Sequence, residues 1–366
     1  TRDISKTVDT YEQWKKTYPR DTVPLDNVAL AYGSIGQFEK SLANASEAYR
    51  LDPKDTFANQ NLAGAYMGLN RFDEAKAVIV QSENKGLTFT GARILYLIAF
   101  MQHDQMAMQQ RLESVKGKGI REVLLLLFKG EGEYSQGKVQ AARQTFVDLM
   151  TLMKSLGMNE FAAGTLIAQK QVEVELGYSS PAGPTVEKAL AIAKDRDTRA
   201  AAMDLLARTG DAAEAEKLAQ ELAKEFPSGT MLNSAWIPIA RAVIEIHRNN
   251  GSKAVALLEN TRAYELGQGP NSCNYWANYT RAEGYRVAHD GANAAAEYQK
   301  ILDHRGVEAV SPLYALAHLG LGRASVLQGD NGKARTAYQD FFAETKDADP
   351  DVPVVKQAKA EYAKLQ

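Results

Sequence analysis

The side chains best suited to metal or proton chemistry here are five scattered histidines, His103, His247, His289, His304 and His318. None forms a His-x3-His pair or a His-Glu-x-x-His motif, so solvated or helix-terminal imidazoles are expected. Cys273, the single cysteine, lies in the loop Gly269-Pro270-Asn271-Ser272-Cys273 without an indicated base, as an ordinary free thiol. One cysteine excludes an internal disulfide and leaves the redox compartment open. Asp347-Ala348-Asp349-Pro350-Asp351 opens like a calcium loop, but Val352 and Ala358 stand where that loop needs glycine and glutamate. A helix-start loop is the better reading. Gly320-Leu321-Gly322 falls inside an expected helix, where small residues serve packing. Val-Ala-Ile-Lys, His-Arg-Asp and Asp-Phe-Gly are all absent. The expectation is therefore no catalytic, cofactor-binding or metal-ligating residue.

Binding chemistry is better represented. Trp236, Trp276 and Tyr279 fall in the C-terminal half with Arg286 and Arg323 nearby, and aromatic and arginine side chains dominate binding hot spots. Asn27 and Asn61, 34 residues apart, could each hold the backbone of an extended peptide through an amide.

Those 34 residues are the period of the elements that must position them. Tyr32 returns as Tyr66, Phe38 as Phe72, Val28 as Leu62 and Ala29 as Ala63. From Thr22 as position 1, small residues at Ala29, Ser41 and Ala48 let two helices approach. Tyr32 and Phe38 fill the wedge between them, Gly36 ends the first helix, and Pro53 stops the second. This pattern resembles the tetratricopeptide repeat. Positions 2, 5, 6, 9 and 12 of such a unit face a concave groove. Asn27 and Asn61 hold position 6; Trp236 and Trp276 hold position 2. The carboxylate-clamp places of chaperone-docking repeats hold Asp26, Leu30, Gly91 and Leu95, so that clamp is not expected.

In chain order, residues 3–18 read as half a hairpin, and two good repeats follow. A third unit, about 90–117, has lost its glycine and alanine positions and ends at Gly117-Lys118-Gly119. Further units run at about 121–156, 159–194, 196–227, 235–266, 275–306 and 315–346. Pro353 opens a final helix to Gln366 that suits a cap. No stretch alternates at period 2 for long enough to be a strand. The expected fold is all-α: a tetratricopeptide-repeat α-solenoid, a right-handed superhelix of about nine hairpins with a C-terminal capping helix. The loop 179–184 is the expected joint. It divides an array 1–178 from an array 184–366 that includes the cap 353–366, or else lies within one continuous solenoid.

The 366 residues carry a net charge of −2, which argues against nucleic acid as a partner. The longest apolar run, Val123 to Phe128, is far too short to span a membrane. No signal peptide is recognisable. The chain starts at Thr1 rather than Met, and a fragment of something longer is expected.

Several phrases, loops included, point to a narrower group. They are Tyr11-Glu12-Gln13-Trp14-Lys15, Gln299-Lys300-Ile301-Leu302-Asp303-His304-Arg305-Gly306, Ala315-Leu316-Ala317-His318-Leu319-Gly320, Lys346-Asp347-Ala348-Asp349-Pro350-Asp351 and the ending Gln357 to Gln366. Together they resemble the C-terminal repeat region of acidobacterial serine/threonine protein kinases. The resemblance implies a non-catalytic sensing or partner-docking region, soluble itself, of a parent anchored in the inner membrane. The implied partner is a protein or peptide bound in the concave groove, with no cofactor. A stand-alone scaffold or the sensor region of a transcription regulator is the alternative; an enzyme with a groove site has the least support.

Overall fold

The structure, a computed structural model, describes residues 3–87, 91–269 and 272–365. Pro270, Asn271 and the terminal Gln366, part of the sequence expectations above, lie outside them. The described residues hold twenty α-helices and no strand. The half hairpin is α1 (Ile4–Thr17). Nine hairpins follow: α2 (Thr22–Gly33) with α3 (Phe38–Leu51); α4 (Thr56–Gly68) with α5 (Phe72–Asn84); α6 (Gly91–Met101) with α7 (Gln105–Val115). Next come α8 (Ile120–Ser135) with α9 (Val139–Ser155), α10 (Asn159–Glu175) with α11 (Gly183–Ile192), and α12 (Arg196–Arg208) with α13 (Ala212–Glu225). The last three are α14 (Ile237–His247) with α15 (Gly251–Leu257), α16 (Trp276–Val287) with α17 (Gly291–Leu302), and α18 (Pro312–Leu327) with α19 (Asn331–Glu344). The cap is α20 (Pro353–Tyr362).

Local chemistry starts and stops these helices. Asp21, Asp55 and Asp195 accept from backbone N–H groups of the first turns of α2, α4 and α12, which satisfies donors that have no intrahelical partner. Gly36 ends the first turn at φ 72°, as its place in the repeat predicts. Gly130 receives the Phe146 ring, and a methyl there would lie 2.7 Å from it. The start of the seventh unit departs from the α-helical expectation. Leu232–Trp236 forms a π-helical turn ahead of Pro238. Proline has no N–H for the preceding turn and its ring needs extra width, which the wider turn supplies.

First helices of successive hairpins stack on one another: α2 on α4, α4 on α6 and α6 on α8, then, beyond a contact of α9 with α10, α10 on α12, α12 on α14, α14 on α16 and α16 on α18. Packing continues across 179–184, since α10 touches both α11 and α12, and one apolar core holds Ala163 and Ile167 together with Ala182, Val186 and Ala202.

The array then coils until its second half lies against its first. Ile4 N–H donates to Thr230 Oγ1 at 3.2 Å. Gln268 N–H reaches Gly33 O at 3.0 Å, Asp349 N–H reaches Gly137 O at 3.0 Å, and Val354 N–H reaches Leu176 O at 3.1 Å. The accepting carbonyls sit at the ends of α2, α8 and α10, where a helix leaves its last C=O groups without partners. The other layer supplies those partners. Helix α18 packs on α8, and the largest apolar core joins Val123, Tyr134 and Phe146 to Tyr298, Leu316, Tyr338 and Val355. The acidic loop 347–351 serves this seam: Asp349 also accepts from Gln140 N–H at 2.8 Å.

Candidate partner-binding site

Helix α2 turns one side to solvent at Val23, Asn27 and Leu30, which stand at helical spacing; Leu30 is 61 % exposed. On the next inner helix, α4, Phe57 is 59 % exposed. Asn27 Nδ2 donates to Val23 O at 2.8 Å, leaving its side-chain carbonyl as an acceptor. Asn61 is committed differently: its Nδ2 donates to Asp26 Oδ1 at 3.1 Å. Burial pushes the Asp26 carboxyl up to about 6, against the pull of that Asn61 bond. Leu30 enters the sequence reading only as a place where the carboxylate clamp is missing, and Phe57 not at all. The available signal was a large apolar side chain at positions 9 and 2 of units whose inner face should be wet.

Beside this face lies a cavity of about 270 Å³. Ile4 and Thr7 of α1 and Ala31 of α2 form one wall. Gln171 of α10 and Ala200 and Asp204 of α12 form another. Leu232 and Trp236 of the π-helical turn and Trp276 of α16 close it. The two tryptophans that the sequence places at matching repeat positions thus meet at one cavity, together with the first hairpin. Each is half-buried. The Arg208 guanidinium stands 4.0 Å from the Trp276 ring centroid, a cation–π contact. Arg208 is held by Asp204 (Nε to Oδ2, 2.7 Å) and Glu175 (Nη1 to Oε1, 2.7 Å). Asp204 also accepts from Gln171 Nε2 at 2.8 Å. Burial lowers the Arg208 pKa, but the two carboxylates outweigh it and leave it raised. The cavity is mostly apolar, with the paired Arg196 and Asp197 also in its lining and a fixed cation behind one aromatic wall: a shape for an apolar or aromatic side chain.

Tyr279, one turn beyond Trp276, is 8 % exposed, edge-on to Tyr298 at 6.0 Å between centroids. Arg286 donates to Glu283 (Nε to Oε2, 3.0 Å). Arg323 forms a two-point pair with Glu361 of the cap at 2.9 and 3.1 Å. Both cations are thus paired within the chain. Cys273 is buried; burial pushes its thiol up to about 12, which removes thiolate chemistry at neutral pH. Among the described residues no group of three or more His, Cys, Asp or Glu could hold a metal ion, and no helix is long and apolar enough to cross a membrane.

No family model matches this chain, and no curated protein does. Solved structures resemble its path. Yeast Tom70 is 14 % identical over 98 % of this chain and 91 % of its own, with a TM-score of 0.42. A tetratricopeptide repeat protein from Parabacteroides merdae ATCC 43184 is 11 % identical over 94 % and 98 %, with a TM-score of 0.36. The human IFIT1 dimer with PPP-AAAA is 15 % identical over 100 % and 85 %, with a TM-score of 0.49. The fold is a tetratricopeptide-repeat α-solenoid. Its 34-residue offset is visible in the helices themselves, since α2 and α4 begin at Thr22 and Thr56, and α3 and α5 at Phe38 and Phe72.

Proposed function

We propose that this chain is a non-catalytic, partner-binding repeat region. It holds an extended protein segment along the inner faces of α2 and α4, with one apolar side chain of that segment in the cavity between Trp236 and Trp276. The observation that carries this reading is one of contiguity. The exposed apolar face of α2 carries Leu30, and the next residue, Ala31, already lines the cavity that both tryptophans close. Asn27 offers an amide carbonyl to the segment's backbone, and Asn61 orders α4 against α2 through Asp26. Tyr279, Arg286 and Arg323 act behind this surface by fixing α16 and α18.

Peptides selected on the wild-type chain from a display library test the reading. Leu30→Lys and Phe57→Lys should each weaken the selected peptide by about tenfold or more, a loss typical of hot-spot residues, with an unchanged melting temperature because both positions are exposed. Unchanged affinity in both variants contradicts it.

A second reading places this region in a serine/threonine protein kinase of acidobacterial type, with a stand-alone scaffold as its rival. The loop phrases around His304 and Asp349 support the kinase parent. Reading the coding sequence upstream of Thr1 tests it: a kinase domain there supports the parentage, and its absence contradicts it.

A further inference from the structure

A separate concavity lies where the repeat signature fades. Helix α7 has 11 residues, and Gly117 and Gly119 carry the chain past it at φ 72° and 59°. Between α6, α7 and the start of α8 this leaves a cavity of about 310 Å³, within the size range of small-molecule sites. Val115, Leu124 and Leu125 give it apolar walls. Arg93, Arg111, Lys118 and Arg121 also line it, against one carboxylate, Glu83.

That carboxylate is already used, since Arg111 Nη1 donates to both Glu83 oxygens at 2.9 and 3.2 Å. Among the described residues Arg93 has no counter-ion. Its Nε is buried without a hydrogen-bond partner, and burial, offset by no neighbouring charge, holds its pKa below the usual arginine range. Arg93 is half-buried as a residue, and its buried Nε is a donor left without an acceptor, which costs free energy. Here it lies beside further cations and faces open space, so what is missing is an anion.

We propose that this cavity binds a small organic anion, with an oxyanion head (carboxylate or phosphate) on Arg93 and a short apolar body against Val115, Leu124 and Leu125. Gln60 of α4 also lines this cavity, but neither Leu30 nor Phe57 does, so anion binding is tested separately from the surface that those two residues form.

Calorimetric titration with octanoate, octyl phosphate and uncharged 1-octanol tests it. At least one of the anions should bind, and octanol should bind about tenfold more weakly or not at all. The tighter anion identifies the head group. Arg93→Met keeps the apolar stem and removes the charge. It should cost the anion about tenfold or more in affinity without lowering the melting temperature of the ligand-free chain, because a buried donor without an acceptor is gone. Lys118→Gln, on an exposed loop position that folding tolerates, should weaken the anion severalfold. No binding of either anion, octanol binding as tightly as the anions, or unchanged affinity in both variants overturns the proposal.

Discussion

Asn70 and Gly306, 236 positions apart, are joined by a 2.9 Å hydrogen bond from the Gly306 N–H to Asn70 Oδ1. Asn70 returns the favour with its Nδ2, which donates to Asp303 O at 2.6 Å. Asn70 sits at φ 56°, a left-handed conformation that asparagine tolerates better than most residues. Gly306 lies so close to the Met67 carbonyl that a side chain there would collide with backbone. At this point of the seam the coil is therefore closed where turn meets loop, by the Asn70 amide on two backbone groups.

Gly306→Val should open this seam. Small-angle scattering should report a larger radius of gyration, together with a lower melting temperature. Asn70→Ala removes both bonds and should cost about 2 kcal/mol. An unchanged radius of gyration in Gly306→Val would show that the layers are held elsewhere.

The same seam responds to pH. Burial, reinforced by the charge of Glu308, pushes Glu131 up to about 8. Burial pushes Glu308 up to about 7, against bonds from Ser311 and Asn274. Both carboxyls start from 4.5 in the unfolded chain. The folded chain therefore binds more protons than the unfolded one between those values, and stability falls as pH rises through 7 to 8. Melting temperature should drop from about pH 5.5 to about pH 9, and Glu131→Gln should flatten the slope. A melting temperature that climbs over that window would reverse the sign and refute the assignment.

Behind Trp276, Asp204 and Arg208 form a pair whose side chains are 1 % and 3 % exposed. Asp204→Ala strips the guanidinium of its closest partner and should cost about 3–5 kcal/mol, whereas replacing both by Leu and Met should cost much less. Urea denaturation of the two variants decides this, and equal losses would mean that the pair does not act as a unit.

Deleting the chain from Pro353 onward removes more than a cap. Val354, Val355 and Ala358 are buried, Val354 N–H is bonded to Leu176 O of the first layer, and Glu361 ties Arg323 and Tyr338 to the cap. The truncated chain should aggregate and melt earlier. A monomer with an unchanged melting temperature would show that the helix is dispensable.

The hairpins were legible because each is local. Thr22, Phe38, Thr56 and Phe72 mark their helix starts by position alone, and aromatic-to-glycine contacts stay within one unit, as Phe146 on Gly130, or reach a nearby one, as Phe38 on Gly68. Closure was not legible. Its bonds join residues such as Gln268 and Gly33 through backbone groups that carry no side-chain signature. The site inherits that difficulty. Trp236 and Trp276 could be paired by repeat position, but Ala31 at the same cavity could not, because only the coil brings it there. The apolar character of Leu30 and Phe57 was available and went unread beside Asn27. Tyr279 holds an inner-face position, yet burial against Tyr298 takes it from the surface. Arg93 drew no notice because an arginine next to a faded repeat looks like solvent-facing charge until its missing partner is seen.

Photocrosslinking of a library-selected peptide, mapped by mass spectrometry, tests the partner-binding reading most directly. Crosslinks should fall on Thr22–Gly33 and on Leu232–Trp236 together, since one segment spans the first hairpin and the tryptophan cavity. Crosslinks confined to the outer helices α3, α5 and α13 would contradict it.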